Sequence, residues 1–386
     1  MKIAIKGPLL SVTGYGVHTR QIFSWAISRG HDVSAVIVPW GICTFYVNPD
    51  SLDGLIGEIM ECTQPPQNPD ISFQVQLPDE WDPNLAKINI GVTAGVESDI
   101  CSQSWVEACG RMHKVIVPSQ FTKSTFVRSG VPEDKIVVIP EAHSHCDDIS
   151  ANLDEKLQSL PTSFNFLVFG QLTGDNPEND RKNTFWTLRW LAETFKEDKD
   201  VGIIVKTNLG RFTTADRNRS VMVFENLMKE IKTGPFPRFY LAHGMLDQSE
   251  ISTLYKSPVV KALVAPTRGE GWGLPLLDAS CAGLPVIATN YSGHLDFLKY
   301  TKFLPIQYDL VPVHPSRIDG RVWIEGSQWA APRGESVKER LTKFRKGPTL
   351  PTEWAIKGSK KLIVQFSLDK VKEKYDAFMG ILIDHP

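Results

Sequence analysis

Short apolar runs punctuate the first half of the chain, each closed by turn-forming residues. They are KIAIKG (2–7), DVSAVIV (32–38), ISFQVQ (71–76), KINIGVT (87–93), KVIVPS (114–119) and KIVVIP (135–140). Apolar runs this short, between turn signals, read as buried strands. Helical spacing fills the gaps. HTRQIFSWAISRG (18–30) predicts a helix ending at Gly30, and SQFTKSTFVRSG (119–130) one capped by Ser119. The pattern restarts with NFLVFG (165–170), VGIIVKT (201–207), RFYLAHG (238–244), KALVAPT (261–267) and LPVIAT (284–289), and TFWTLRWLAETF (184–195) has helical spacing between the first two. Strands alternating with helices imply a parallel sheet covered on both faces. Two such series predict an α/β protein of two doubly wound, Rossmann-like domains, with ligands at the carboxyl ends of the strands.

A polar stretch without strand character, HSHCDDISANLDEKLQSLPTS (143–163), marks the expected join. The predicted organisation is a first domain over 1–158 and a second over 159–355. A helical segment over 356–386 (LDKVKEKYDAFMGIL) packs back on the first domain. A length of 386 residues agrees with two cores. Apolar content of 42% and charged content of 22% are globular values, and a formal net charge of −2 gives no reason to expect a polyanionic partner. No run reaches the roughly 18 apolar residues of a membrane span. The opening MKIAIKGPLL reads as a strand, and a cytoplasmic location is expected. The six cysteines show no C-x-x-C spacing and read as reduced thiols.

The densest chemistry lies in RGEGWGLPLLDASCAGLPVIAT (268–289). Gly269, Gly271 and Gly273 surround Glu270 directly after the KALVAPT run, and glycine lets backbone approach a ligand closely. Leu274-Pro275 then opens a helix, with Pro275 expected at its first position and Gly283 at its end. A helix N-terminus beside a glycine turn suits a phosphate. Asp278, one turn inside, reaches the same pocket. Two carboxylates flanking an anion site fit a ligand with hydroxyls at both ends, the layout of a sugar nucleotide. A plain helix start with solvated acids fits the same spacing.

The run E-G-W-G-L-P-L-L-D-A-S-C-A-G-L-P-V-I-A-T resembles the signature of family 4 retaining glycosyltransferases, E-G-F/W-G-L-P-x-x-E-A-M-A-x-G-x-P-V-I. The similarity is dense here and weaker over most of the chain. It implies the GT-B fold, two Rossmann-like domains facing a central cleft, and transfer from a nucleoside diphosphate sugar such as a UDP- or GDP-sugar. It also implies retention of anomeric configuration and no bound metal. By resemblance, Glu270 lies against the donor sugar, Asp278 holds the ribose hydroxyls, and Gly271, Trp272, Gly273 and Leu274 line the donor. This chain departs from the pattern at Asp278, one methylene shorter than the family's glutamate. Donor base, sugar, acceptor (glycan, lipid, protein or modified nucleic acid) and oligomeric state are not legible.

Other stretches extend the resemblance. SVTGYGVHTR (11–20) places Gly14 and Gly16 where the family's loop approaches the donor diphosphate and the acceptor; His18 is an acceptor-side candidate, although a helix-start residue fits it better than a catalyst. The third glycine of a dinucleotide fingerprint is Thr19 here, and no acid ends the second strand, which weighs against an NAD-dependent oxidoreductase. FGQLTGDNPENDRKNTFWTL (169–188) has Gln171 where the family has a diphosphate arginine. Lys182 is then the expected phosphate lysine, and Arg181 supplies the missing charge. Lys206, at the end of VGIIVKT, is a further donor-side cation. Glu97 in GVTAGVESD is the acceptor-side acid, although a solvated loop acid fits as well. Ser292-Gly293-His294 resembles the small-residue turn near the donor. His143, His145, Cys146 and Asp147 crowd together like metal ligands, but without a second cluster they read as solvated linker. The rival functions are a nucleotide-sugar epimerase or glycosyl phosphorylase on the same fold, and an inactive sugar-nucleotide-binding protein.

Overall fold

The computed structural model describes residues 1–171, 176–207 and 210–384. It divides into two compact units. The first comprises Met1–Ala142, Ile318–Ser327 and Phe366–Pro386, and the second His143–Arg317 and Gln328–Gln365. The border after Ala142 precedes the polar stretch, so that stretch belongs to the second unit. Within it, Ala151–Gln158 is a helix.

The first unit holds β1 (Lys2–Gly7), β2 (Asp32–Ile37), β3 (Ile71–Val75), β4 (Ile88–Val92), β5 (Lys114–Val117) and β6 (Ile136–Val138). They pair in parallel in the order β2-β1-β3-β4-β5-β6, with Ile3 opposite both Val33 and Ile71. Ile3, Ile5, Phe73, Ile90 and Val92 fill the core beneath Trp25 of the helix Gly14–Ser28. That helix ends at Arg29, followed by Gly30 at φ 69°. Ser119 caps the helix Gln120–Arg128 by accepting the Thr122 N–H. The last helix, Leu368–Asp384, sets the Tyr375 ring against Trp25 at 5.3 Å, and Trp25 donates to Asp376 at 2.8 Å.

The second unit holds β7 (Phe164–Gly170), β8 (Val201–Thr207), β9 (Arg238–His243), β10 (Val260–Ala265), β11 (Val286–Thr289) and β12 (Leu304–Ile306). Their order, β9-β8-β7-β10-β11-β12, is again all parallel and reverses between β7 and β10. An antiparallel pair, β13 (Tyr308–Pro312) and β14 (Gln328–Pro332), follows. The intervening residues 318–327 belong to the first unit, where Arg321 pairs with Asp79 at 2.6 Å. The expected α/β architecture of two Rossmann-like units is therefore the observed one. Among the described residues, β12, which is three residues long, and the antiparallel pair β13 and β14 are the strands that the hydrophobic pattern missed. Among the described residues, no helix is long and apolar enough to cross a membrane.

Candidate functional site

In the second unit, strand order reverses between β7 and β10, the switch point at which sheets of this kind bind ligands beyond the carboxyl ends of their strands. Both loops carry the residues singled out by sequence. The β7 loop runs to Arg181 and Lys182. Its residues 172–175 lie outside the described residues. Buried Asp180 shapes the turn, accepting the N–H of Lys182 at 2.8 Å and of Thr184 at 2.6 Å. Asn183, at φ 57°, bends the chain into the helix Thr184–Thr194 and ties to the β10 loop by donating its amide to the Pro266 carbonyl at 3.0 Å.

From β10 the chain passes Arg268 to Glu270, which is only 4% exposed. Lys182 Nζ lies 2.7 Å from Glu270 Oε1, and Arg181 Nη1 lies 3.0 Å from Oε2. Arg181 also donates to the Gly269 carbonyl at 2.6 Å. Burial alone would raise the Glu270 pKa, but Lys182 and Arg181 outweigh it and hold the group at about 2. The three predicted catalytic residues thus form one cluster of two cations and one anion. Sequence reasoning treated Arg181 and Lys182 as partners of a ligand alone. Here they are also the counterions of Glu270.

The turn is held from below. Ser292 Oγ accepts the Glu270 N–H at 2.9 Å, and the Gly293 N–H donates to the Glu270 carbonyl at 2.8 Å. A Cβ on Gly293 would stand 2.0 Å from the Gly271 oxygen, so only glycine fits there. His294 is fully buried, its Nε2 2.7 Å from the Thr289 carbonyl, and burial lowers its pKa. This support was legible only as a small-residue turn. Asp180 was missed, although an acid just ahead of a helical pattern is a recognisable helix-start signal.

Gly273, at φ 100°, is the N-cap of the helix Leu274–Cys281. Leu274 is therefore the first helical residue, and Pro275 stands second rather than at the expected first position. Proline is equally free of a missing bond there, because the opening N–H groups of a helix have no intrahelical acceptor. Gly283 closes the helix at φ 75°, its N–H donating to Ser280 while that of Leu284 reaches Ala279, a double C-terminal cap. The Trp272 side chain is buried against Phe297, with ring centroids 5.1 Å apart, so its backbone is what it can offer a ligand.

Asp278 lies one turn into this helix and is 8% exposed. Its Oδ1 accepts the Ser144 N–H at 2.7 Å. Burial raises its pKa to about 7, against the lowering effect of that bond. The acid therefore anchors the segment that opens the second unit. The same segment is held by His143 Nε2 at 3.0 Å from the Ile363 carbonyl, by Gln248 on the Ser144 carbonyl and by Ser252 on the Cys146 carbonyl. This corrects the reading of residues 143–148 as solvated linker: their backbone is bonded to the second unit. No group of three His, Cys, Asp or Glu among the described residues is placed to hold a metal ion. Lys206, at the β8 carboxyl end, is buried, donates to the Gly244 carbonyl at 2.6 Å, and has its pKa lowered by burial to about 8.

In the first unit, Thr13 caps the helix that begins at Gly14. A Cβ on Gly16 would meet the Ser11 oxygen at 2.2 Å, so Gly16 is required by the fold of the loop itself. His18 turns into the core, 2% exposed, with Nδ1 3.9 Å from Glu141 and Nε2 3.4 Å from the Tyr375 hydroxyl. Burial lowers its pKa to about 4. Glu97 is half-buried in the loop after β4, close enough to Tyr15 to raise that phenol's pKa, second to burial in that direction.

Residues 241–307 match the family model for glycosyl transferases, group 1. No curated protein sequence matches the chain. Among solved structures it is similar to a glycosyltransferase from Rickettsia africae ESF-5, with 16% identity, a TM-score of 0.68, and coverage of 100% of this chain and 99% of that one. It is similar to sucrose-phosphate synthase from Thermosynechococcus elongatus, at 13% identity, TM-score 0.64 and full coverage of both. It is also similar to Anabaena HepE in complex with UDP-glucose, at 12% identity, TM-score 0.66, and coverage of 98% and 99%. The chain thus has the GT-B glycosyltransferase fold along its length, and its group 1 sequence match falls on the segment that carries Glu270 and Asp278.

Proposed function

We propose that this chain is a glycosyltransferase that takes a sugar from a nucleoside diphosphate sugar and passes it to an acceptor. The observation that carries this reading is the Glu270–Arg181–Lys182 cluster at the strand-order reversal, inside or facing the segment that matches group 1 glycosyl transferases. Rupture of the sugar–phosphate bond leaves negative charge on the diphosphate. Fixed cations and a helix N-terminus stabilise that charge without reorganising. In this reading Arg181 and Lys182 face the diphosphate, and Lys206 adds charge from β8. Glu270, kept ionised by the two cations, orients the sugar hydroxyls. Asp278, with Oδ1 committed to Ser144, offers Oδ2 to a ribose hydroxyl. The donor is a UDP- or GDP-sugar, as the family resemblance suggests, and retention of configuration follows from the same resemblance. The two cations provide the positive charge that the diphosphate needs, so the reading calls for no metal.

The test is release of nucleoside diphosphate from a panel of nucleotide sugars, with water as default acceptor. The wild-type chain is expected to release UDP or GDP from at least one donor. Glu270→Gln, which keeps the shape and removes the charge, should slow release by about 10²–10³-fold while leaving the circular dichroism spectrum unchanged. Equal rates in variant and wild type would remove Glu270 from its role. An epimerase would interconvert the sugar instead, without net loss of donor.

A further inference from the structure

A cavity lies in the same unit, at the outer carboxyl edge of its sheet. It is open to solvent, has a volume of about 420 Å³ and is lined by Asn290, Pro305, Ile306, Gln307, Tyr308, Arg333 and Arg340. No acid is among these residues. Asn290 follows β11 and Gln307 follows β12, so the two amides stand side by side at the ends of paired strands. Arg333, the extended N-cap residue of the helix Gly334–Lys346, and Arg340, in the middle of that helix, complete the lining.

The two arginines differ in their pairing. Arg333 is neutralised by Asp309, with Nε 2.9 Å from Oδ2. Arg340 donates its Nε to the Pro305 carbonyl at 3.0 Å, which fixes the plane of the guanidinium. No carboxylate pairs with Arg340 among the described residues; the adjacent Glu339 pairs with Lys343 instead. A guanidinium fixed through one nitrogen keeps its remaining N–H groups in the planar fork that suits a carboxylate or phosphate. Two primary amides supply further donors.

We propose that this cavity is a binding site for a small oxyanion, a phosphate ester or a carboxylate, with Arg340 as its principal contact. The site is separate from the Glu270 cluster, and the proposal stands whether or not a nucleotide sugar binds there. The two are nevertheless joined by a short link. Asn290 lies two residues before Ser292, whose hydroxyl holds the Glu270 backbone, and the intervening Tyr291 packs on Tyr308 at 5.1 Å. An anion in the cavity would thus bear on the turn that supports Glu270, which makes it a candidate effector.

The experiment is a thermal titration of the full chain with inorganic phosphate and, in a second arm, with citrate, against sodium chloride at matched ionic strength. One or both anions are expected to raise the melting temperature beyond the chloride control, and the stronger arm identifies the group that the site prefers. Arg340→Gln should weaken that response by about tenfold to a hundredfold. Asn290→Asp, at an exposed position, should abolish it by placing a carboxylate in the cavity. Lys182→Gln, in the other cluster, should leave a saturable response. No response beyond chloride, or a response that survives Arg340→Gln and Asn290→Asp, would overturn the proposal, and its loss in Lys182→Gln would assign the anion to the other cluster instead.

Discussion

Glu270 and Asp278 sit eight positions apart in one glycine-rich stretch and have opposite electrostatic fates. Glu270 is buried with two cations and stays ionised. Asp278 is buried with a single backbone N–H and binds its proton up to about pH 7. The consequence for stability follows from the sign of the shift. Below about pH 4 both folded and unfolded states hold the Asp278 proton, and the group costs nothing. Between about pH 4 and 7 the unfolded chain ionises first, so stability falls as pH rises. Above pH 7 the full cost is present. Asp278→Asn keeps an oxygen for the Ser144 N–H and removes the titration. We expect the variant to match wild type in urea unfolding at pH 4 and to exceed it at pH 8, by up to about 4 kcal/mol. The same difference at both pH values would rule out the mechanism. The two acids, with seven residues between them, were legible in the sequence, but their fates were not. Those depend on Arg181, Lys182 and Ser144, which lie far away in the chain.

At the scale of elements, the glycines divide into two kinds that one-dimensional spacing cannot separate. Gly273 and Gly283 occupy positive-φ positions at the two ends of one helix, a requirement of backbone conformation. Gly16 has an ordinary φ, but its missing side chain leaves room for the Ser11 carbonyl. Its role is to let the loop after β1 fold back on its own helix. Gly16→Ala is expected to destabilise the chain by more than about 2 kcal/mol, because the obstacle is backbone and not a side chain that can swing away. Chemical denaturation against wild type checks this, and an unchanged midpoint would contradict it. Strand positions were legible to within one or two residues for β1 through β11, because a buried parallel strand is written as an apolar run. The three-residue β12 carries too few positions to show any period. The helix Ala151–Gln158 was hidden by its polarity, since only Leu157 is buried.

At the scale of the whole molecule, two parallel sheets were legible from the restart of the strand–helix pattern. Which chain segment joins which unit was less so. Residues 318–327 leave the second unit's sequence and belong to the first, where Arg321 pairs with Asp79 and Glu80. Contacts spanning more than two hundred residues leave no local periodicity. His18 shows the same limit, because Tyr375, the ring that helps bury it, lies in the last helix of the chain. The account as a whole rests on donor binding at the Glu270 cluster, and ligand binding raises melting temperature by mass action. A thermal-shift panel of UDP, GDP and ADP sugars tests this directly. At least one donor should stabilise the wild-type chain, by about 2.7 kcal/mol at a hundredfold excess over Kd, and the Arg181→Gln/Lys182→Gln double variant should lose that gain. The absence of stabilisation by every nucleotide sugar, or its full retention in the double variant, would contradict the account.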